Sequence, residues 1–224
     1  MPIRPSSYSS TCPTRSALTI TQLGLVDYQQ TLERMRAFTE TREPHTPDEL
    51  WVCEHPPVYT QGLNGKPEHV LTKPAHIPLL HSDRGGQVTY HGPGQVIVYC
   101  LLDTRRGIHS IRSLVRLLEQ GVIDLLAQHQ VQAFSRVDAP GVYVGGSKIA
   151  SLGLKVRKSC TYHGIALNVD MDLSPFAAIN PCGLAGMAVT QLKDLGITLS
   201  PDQAGAALAR HLSHLLHEHQ HPAR

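Results

Sequence analysis

The chain has 224 residues, of which 41% are apolar, and this is enough to build one sizeable hydrophobic core. The formal net charge is only +2 and no dense run of Lys or Arg occurs, so nucleic-acid binding has no electrostatic support. No apolar run approaches the roughly 20 residues that a membrane-spanning helix requires, so we expect a soluble protein without a membrane segment.

The cysteines are Cys12, Cys53, Cys100, Cys160 and Cys182. They are odd in number and widely spaced, and none forms a C-x-x-C pair, which argues against a disulfide framework and a structural zinc site. Free thiols in a chain without an obvious secretory signal predict a cytoplasmic protein.

Residues 1–18 are rich in Ser, Thr and Pro and contain no acidic side chain, so we expect a mobile tail there. A mitochondrial presequence shares this composition, but three prolines obstruct the amphipathic helix that such a signal needs. We expect one catalytic domain over 19–218 and a His-rich C-terminal tail over 219–224. The C-terminal histidines are metal-capable, but no carboxylate array accompanies them, and we predict no metal site.

Apolar residues at helical spacing predict an amphipathic helix over 25–41. A short apolar strand is predicted at 50–53. The prolines Pro56 and Pro57 then predict an extended turn leading to 60–62, where a loop can face a ligand.

Two β-rich runs follow at 87–90 and 95–102, and the short connection between them predicts a hairpin. The second run is apolar on both faces, which predicts a central strand. Apolar residues at helical spacing then predict a second helix over 111–129, with Ser110 as its N-cap.

Three further strands are predicted at 141–144, 147–157 and 161–169. The first two are joined by Gly145 and Gly146, a pair that favours a type I′ turn because both residues tolerate positive φ.

A third helix is predicted to begin at Ser200, where Pro201 fits the first turn and Gln203 completes a capping box. Strands and helices are intermixed without a regular βαβ repeat. This order favours a single α+β domain in which helices flank a mixed β-sheet.

Cys182 is a candidate nucleophile, because it lies in an Asn-Pro-Cys-Gly sequence that predicts a turn. A cysteine in a turn can expose its sulfur to a substrate. An incidental loop cysteine explains the same sequence, so this residue alone does not establish a function.

Lys148 is the second residue of the strand 147–157, and the period of two places it on one face with Ala150 and Leu152. The lysine is either buried with that face or extends past the turn to water. A free thiol is only about 3% ionised at pH 7, whereas an ammonium ~4 Å away would favour the thiolate by up to ~4 kcal/mol at an effective dielectric of ~20. A neutral Lys148 acting as general base is the alternative.

The stretch 84–94 combines glycines, which let a backbone approach a ligand, with polar groups that can orient a carbonyl. A hairpin that contains several glycines, and in which His91 has no special role, explains this stretch too. His163 is followed by Gly164, Ile165 and Ala166, and the small residues among them could line a slot for an alkyl chain, although a tightly packed strand explains Gly164 equally well. No phosphate-binding glycine motif occurs, which argues against a nucleotide-consuming ligase.

Five blocks of the sequence together resemble the lipoyl(octanoyl) transferase family, also called lipoate-protein ligase B. The blocks are HPPVYTQG at 55–62, GKPEHV at 65–70, DRGGQVTYHGPGQ at 83–95, DAPGVYVGGSKIASLGLKVR at 138–157 and YHGIALNVDMDLSPFAAINPCG at 162–183. The resemblance implies a mixed sheet flanked by helices, similar to the catalytic domains of biotin and lipoate ligases.

The resemblance also implies an activity: transfer of an octanoyl group from octanoyl-acyl-carrier protein to a lysine of a lipoyl domain, without a cofactor. The implied acceptors are the lipoyl domains of 2-oxoacid dehydrogenases and the glycine cleavage H protein. Cys182 would hold the acyl thioester, Lys148 would lower its pKa or shuttle protons, and His91 and His163 are second candidates for proton transfer. The residues implied to line the acyl pocket are Arg84, Gly85, Gly86, Gln87, Val88, Thr89, Tyr90, His91, Ser151, Leu152, Gly153, Gly164, Ile165 and Ala166.

Three other functions stay open at this point. An ATP-dependent lipoate ligase of the same fold would need an adenylate site and no nucleophilic cysteine. In a non-catalytic acyl-binding protein, Cys182 and Lys148 would be packing residues. A Cys-His hydrolase would release free octanoate, but His91 and His163 have no clear orienting partner in the sequence.

Overall fold

The computed structural model describes residues 18–72, 74–183 and 186–220, without the side chains of Cys182 and Gln220. In chain order the strands and helices are β1 (Thr19–Leu25), α1 (Tyr28–Thr41), β2 (Glu49–Glu54), β3 (Val58–Gln61), β4 (Leu79–His81), β5 (Val88–His91), β6 (Gln95–Leu101), α2 (Ile111–Gln128), β7 (Phe134–Ser135), β8 (Gly141–Val144), β9 (Ser147–Arg157), β10 (Cys160–Asn168) and α3 (Pro201–Gln220). Short 3-10 helices lie at Pro67–His69, Ser174–Ala178, Pro181–Gly183 and Lys193–Leu195. Residues 1–17 and 221–224, which make up most of the two predicted tails, lie outside the described residues.

Within the described residues, seven strands form a mixed sheet in the order β1-β2-β6-β10-β9-β8-β7, and three form a small sheet in the order β4-β3-β5. In the large sheet β1 runs parallel to β2, whereas the other neighbouring pairs are antiparallel. In the small sheet β3 is parallel to β4 and antiparallel to β5. The predicted α+β domain around a mixed sheet is confirmed.

The large sheet separates two apolar layers because successive side chains of a strand point to opposite faces. In β6, Val96 and Val98 belong to the layer that contains α2 and α3, whereas Ile97 and Tyr99 belong to the layer that contains α1. Every residue of β6 is buried, which confirms the predicted central strand. Full burial of a valine or leucine side chain stabilises a fold by roughly 1.5–3 kcal/mol, so this strand anchors both layers.

The predicted caps of α2 and α3 are present. Ser110 Oγ accepts a hydrogen bond from the backbone N–H of Ser113 at 3.0 Å. Ser200 Oγ accepts one from the Gln203 N–H at 3.2 Å, and Gln203 Oε1 accepts one from the Ser200 N–H at 2.9 Å. These bonds satisfy N–H groups that the first turn of a helix leaves unpaired, so both helices begin where the sequence predicts.

The N-terminal part of the domain differs from the prediction of a helix over 25–41. Residues Thr19–Leu25 form the edge strand β1, and α1 begins only at Tyr28. The side chain of Asp27 accepts a hydrogen bond from the Gln30 N–H at 2.9 Å and caps the helix there. Most of β1 is exposed because an edge strand has only one neighbouring strand. Its sequence therefore lacks the alternation of buried apolar and exposed polar residues that predicts a strand.

The turn predicted at Pro56 and Pro57 is present as a bend, but residues 60 and 61 do not form the predicted loop. Val58–Gln61 form β3, the central strand of the small sheet, and all four of its residues are buried. The prolines before it do not prevent this strand, since they precede the residues that pair with β4 and β5.

The hairpin predicted between 87–90 and 95–102 is also wrong. β5 pairs with β3 in the small sheet, whereas β6 pairs with β2 and β10 in the large one. The connection bends at Gly94, which has φ +86° and lies so close to Asp170 that a Cβ would be 1.9 Å from its carbonyl oxygen. Only glycine fits this bend, which redirects the chain from one sheet to the other.

The strands predicted at 141–144, 147–157 and 161–169 are confirmed within one residue at each end as β8, β9 and β10. Gly145 and Gly146 have φ values of +55° and +90°, as a type I′ turn requires. In the part of the chain that the structure describes, no helix combines the length and the apolar character needed to cross a membrane.

Candidate active site

A pocket of about 520 Å³, including the space at its mouth, lies between the small sheet and the strands β6, β9 and β10 of the large sheet. The predicted pocket residues that line it are Arg84, Gly86, Gln87, Val88, Thr89, His91, Ser151, Leu152, Gly153, Gly164, Ile165 and Ala166. Tyr28, Ile97, Tyr99 and His163 complete its lining.

The other two predicted pocket residues have different positions. Tyr90 packs in the core of the small sheet, where its ring centroid lies 5.4 Å from that of Tyr59 and 5.5 Å from that of Phe176. The Gly85 N–H donates a hydrogen bond to the Leu154 carbonyl at 3.0 Å. Gly85 therefore fastens the loop before β5 to strand β9 behind the pocket.

Two glycines leave bare backbone at the pocket wall. A Cβ at Gly164 would lie 2.0 Å from the Val98 carbonyl oxygen of the neighbouring strand. A Cβ at Gly153 would lie 3.0 Å from the Gly85 carbonyl oxygen. Packing of β10 against β6 therefore requires glycine at 164.

His91 is held by hydrogen bonds at both ring nitrogens. Its Nδ1 donates to Gln95 Oε1 at 2.7 Å, and the amide nitrogen of Gln95 donates to Asn168 Oδ1 at 2.9 Å, which fixes the orientation of the amide. Its Nε2 accepts from the Thr60 hydroxyl at 3.3 Å, whose oxygen accepts from Arg84 at 2.8 Å. Burial lowers the pKa of His91 to about 3, so the ring is neutral at neutral pH.

His163 has φ +61°, a left-handed backbone conformation that is unusual for a residue other than glycine. Its Nε2 donates to Asp83 Oδ1 at 2.9 Å. Asp83 Oδ2 in turn accepts from the Tyr162 hydroxyl at 2.7 Å and from Arg36 at 2.9 Å. Because an ionised carboxylate only accepts, Nε2 of His163 carries the proton and Nδ1 is the acceptor.

The protonation states of this pair follow from burial and contacts. Burial raises the pKa of Asp83, but hydrogen bonds from His163 and Tyr162 outweigh it and hold that pKa well below its usual range. Burial lowers the pKa of His163, against the opposing effect of Asp83. At neutral pH the pair is therefore a carboxylate hydrogen-bonded to a neutral imidazole.

Lys148 is buried together with the apolar face of β9, and only 2% of its surface is exposed. It lies at a bulge, where Val142 pairs with Ala150 but Tyr143 pairs with Lys148. Its Nζ donates to the Pro140 carbonyl at 2.9 Å and lies 5.5 Å from the centroid of the Tyr143 ring. Of the two positions that the sequence allows, the structure shows the buried one.

The backbone around Cys182 forms the 3-10 helix Pro181–Gly183, so the predicted turn is confirmed. A Cβ at Gly183 would lie 3.0 Å from His69 Nε2 and 3.5 Å from the side chain of Gln87. Gln87 lines the pocket, so the turn that carries Cys182 lies against the pocket wall.

The segment that follows this turn forms backbone hydrogen bonds with Lys148. The Lys148 N–H donates to the Ala188 carbonyl at 2.8 Å, and the Thr190 N–H donates to the Lys148 carbonyl at 3.0 Å. The structure thus brings the Cys182 turn to the pocket and ties the strand of Lys148 to the segment that follows this turn.

The thiols of Cys53, Cys100 and Cys160 are all buried. Burial raises the pKa of Cys100 to about 12 and that of Cys53 far above its usual range. Such thiols do not ionise at neutral pH, so they are poor nucleophiles. Among the described side chains, no three His, Cys, Asp or Glu residues come together as the ligands of a metal ion would.

The sequence prediction missed Asp83, Gln95 and Glu119. The first two lie at the ends of the block DRGGQVTYHGPGQ, so the block itself was a signal for them. Glu119 is 4% exposed in α2, between the fully buried Leu118 and Val122. The signal for it was an acidic residue inside the apolar spacing of the helix.

Comparison with known proteins identifies the class to which this fold and pocket belong. Residues 27–213 match the family described as the lipoyl protein ligase A/B catalytic domain, so the chain belongs to that family. The octanoyltransferase of Laribacter hongkongensis is 56% identical over 202 residues, which are 90% of this chain and 97% of that relative. The resemblance to the octanoyltransferase branch is confirmed, and the chain is an acyltransferase.

Solved structures show the same fold. A bi-partite lipoate protein ligase from Thermoplasma acidophilum, described together with its E2 lipoyl domain, has a TM-score of 0.71 at 19% identity, over 91% of this chain and 85% of that one. Biotin protein ligase from Aquifex aeolicus has a TM-score of 0.54 at 13% identity, over 94% of this chain and 72% of that one. The predicted similarity to biotin and lipoate ligase catalytic domains is confirmed.

Proposed function

We propose that this protein transfers an octanoyl group from acyl-carrier protein to a lysine of a lipoyl domain, through a thioester on Cys182. The observation that carries the proposal is the burial of Lys148, 2% exposed, in the strand tied to the segment after Cys182. A lysine is costly to bury, and a buried lysine tied to the segment beside a candidate nucleophile is a candidate acid or base.

The pocket supports an acyl substrate. Its lining includes Ile97 and Ala166, which belong to the apolar layer on the α1 side of the sheet, beside Gly153 and Gly164, and this suits a straight alkyl chain. The Cys182 turn at the wall would meet the carbonyl end of that chain.

In the first step the Cys182 thiolate attacks the carbonyl of the carrier thioester. The new carbon–sulfur bond forms as the bond to the carrier sulfur breaks, and the carrier thiolate takes the proton of the Lys148 ammonium. One thioester replaces another, so the step is nearly isoenergetic and needs no ATP.

In the second step the neutral amine of the lipoyl-domain lysine attacks the octanoyl thioester. A carbon–nitrogen bond forms, the bond to Cys182 breaks, and the neutral Lys148 takes the proton that the amine loses. The thiolate and ammonium of the resting enzyme are restored, and amide formation gives the reaction its direction.

The two histidines have different parts in this proposal. His91 is occupied at both nitrogens by Gln95 and Thr60, so we assign it to holding the pocket wall. His163, with Nδ1 as an acceptor, keeps the capacity to take a proton.

Intact-protein mass spectrometry tests the proposal with wild type, Cys182→Ala and Lys148→Ala, each mixed with octanoyl-acyl-carrier protein before a lipoyl domain is added. We expect an octanoyl adduct on wild type that passes to the lipoyl domain, no adduct on Cys182→Ala, and transfer slowed by about 10²- to 10⁴-fold in Lys148→Ala. Cys160→Ala and Lys155→Ala are the matched controls and should behave as wild type. Lipoyl-domain modification that survives in Cys182→Ala and depends on ATP and free octanoate would instead establish a ligase.

A further inference from the structure

Glu119 is a buried carboxylate close to Lys148 but outside the pocket. It lies in α2 with 4% of its surface exposed, and its helix neighbours Leu118 and Val122 belong to the hydrophobic core. A buried acid destabilises a fold unless hydrogen bonds or a cation compensate it. The hydrogen-bonding groups and cations around Glu119 therefore indicate its role.

One peptide unit connects Glu119 to Lys148. Oε1 of Glu119 accepts a hydrogen bond from the N–H of Gly141 at 2.8 Å. The carbonyl of the same peptide, that of Pro140, accepts from Lys148 Nζ at 2.9 Å. A planar amide that donates at one end and accepts at the other is polarised by both charges, which strengthens both hydrogen bonds.

Gly141 brings the lysine against this peptide. It has φ +146°, and a Cβ there would lie 2.4 Å from Cε and 2.9 Å from Nζ of Lys148. The end of the lysine side chain thus occupies the space that any other residue would fill. The position of the ammonium depends on the peptide that Glu119 holds.

We propose that Glu119 is the positioning residue of Lys148, which it holds and keeps protonated through the Pro140–Gly141 peptide. This inference rests on the proposed function, in which Lys148 gives its proton to the carrier thiolate. Glu119 touches neither substrate nor thiol in this arrangement, and it acts on the reaction through the lysine.

Burial raises the pKa of Glu119. Two cations, Lys148 and Arg116, and hydrogen bonds from the Gly141 N–H and Ser135 favour the ionised carboxylate and offset part of that rise. Arg116 lies on α2 itself, Ser135 on β7 and Lys148 on β9, so these groups face the carboxylate from its own helix and from two strands.

The test is the pH profile of octanoyl transfer by the full-length enzyme from acyl-carrier protein to a lipoyl domain. In Glu119→Gln the amide oxygen can still accept from Gly141, but the negative charge is gone. The ammonium form of Lys148 is then no longer favoured by this charge, so we expect the alkaline limb of kcat/KM to move down by about one pH unit, with KM for the carrier within about twofold of wild type.

Glu33→Gln makes the same chemical change at an exposed position of α1 and should retain the wild-type profile. Glu119→Asp keeps the charge but withdraws it by one methylene, so we expect a lower kcat with the alkaline limb at its wild-type pH. This variant carries the test if Glu119→Gln does not fold, because a wild-type kcat in Glu119→Asp would overturn the inference.

An unshifted alkaline limb in a folded Glu119→Gln enzyme would also overturn it. Failure of the proposed function gives a different result, since Lys148→Ala would then transfer octanoate at the wild-type rate. If Lys148→Ala is slow while both Glu119 variants match wild type, only the positioning role is wrong.

Discussion

The side chain of Lys148 is almost fully enclosed, with 2% of its surface exposed. Nζ donates to the Pro140 carbonyl at 2.9 Å, the Tyr143 ring centroid lies 5.5 Å away, and a Cβ at Gly141 would lie 2.4 Å from Cε. These contacts fit a compact ammonium on a straight stem. A planar guanidinium is larger and directs its hydrogen bonds differently.

We therefore expect Lys148→Arg to fail as a replacement, although it keeps the positive charge. The side chain would displace the Pro140–Gly141 peptide, and octanoyl transfer should fall by at least about 10²-fold, because a misplaced acid–base group loses most of its effect. Single-turnover transfer from octanoylated enzyme to a lipoyl domain measures this. A rate within about fivefold of wild type would show that charge alone suffices.

The sequence could reveal Lys148 but not its partner. Lys148 stands out because a charge breaks the apolar period of β9. Glu119 lies 22 residues from Gly141, the residue that it contacts, and no local pattern links them. A contact between distant residues depends on how α2 packs on the sheet, which one sequence does not determine.

At the scale of elements, β10 lies so close to β6 at Gly164 that no side chain fits between the two strands. A Cβ there would lie 2.0 Å from the Val98 carbonyl oxygen, which belongs to the backbone and cannot rotate away. The same pair of strands forms the centre of the large sheet and one wall of the pocket. Strand packing and pocket shape thus depend on the same missing side chain.

Gly164→Ala should lower the free energy of unfolding by about 1–3 kcal/mol, because an added methyl in a packed interior forces the backbone to move. Gly85→Ala is the matched control, since its Cβ would meet Leu154 at an ordinary 3.4 Å. Urea denaturation of both variants and wild type gives the comparison. Equal unfolding midpoints for the two variants would mean that β6 and β10 accommodate the added methyl group without loss of stability.

Predictions at the element scale were correct where the local sequence of one strand or helix determines its structure. The three strands β8, β9 and β10 and the cap at Ser110 follow from local periods and turn residues. The hairpin between 87–90 and 95–102 failed because a short connection can also carry the chain between two sheets, as Gly94 does here. Which strands pair depends on the whole molecule.

At the scale of the molecule, three neutral histidines lie in the interior between the small sheet and the large one. His55 is fully buried, His163 is 2% exposed and His91 is 7% exposed. Burial lowers the pKa of all three, in the case of His91 to about 3. The folded protein therefore excludes protons that its unfolded chain would bind.

This difference predicts how stability changes with pH. An unfolded histidine titrates near pH 6.5, so below that pH the unfolded chain gains protons that the folded protein does not, and stability falls as pH falls. His91, whose pKa falls to about 3, should by itself lower the free energy of unfolding by about 1.4 kcal/mol between pH 7.5 and 5.5, and His55 and His163 act in the same direction. His91→Gln should be less stable than wild type at pH 7.5, because it disturbs the bonds to Gln95 and Thr60, yet lose about 1.4 kcal/mol less on acidification. Urea denaturation at the two pH values measures both effects, and the exposed substitution His129→Gln is the control. A wild-type free energy of unfolding that is equal at pH 7.5 and 5.5 would contradict the neutral state of these rings.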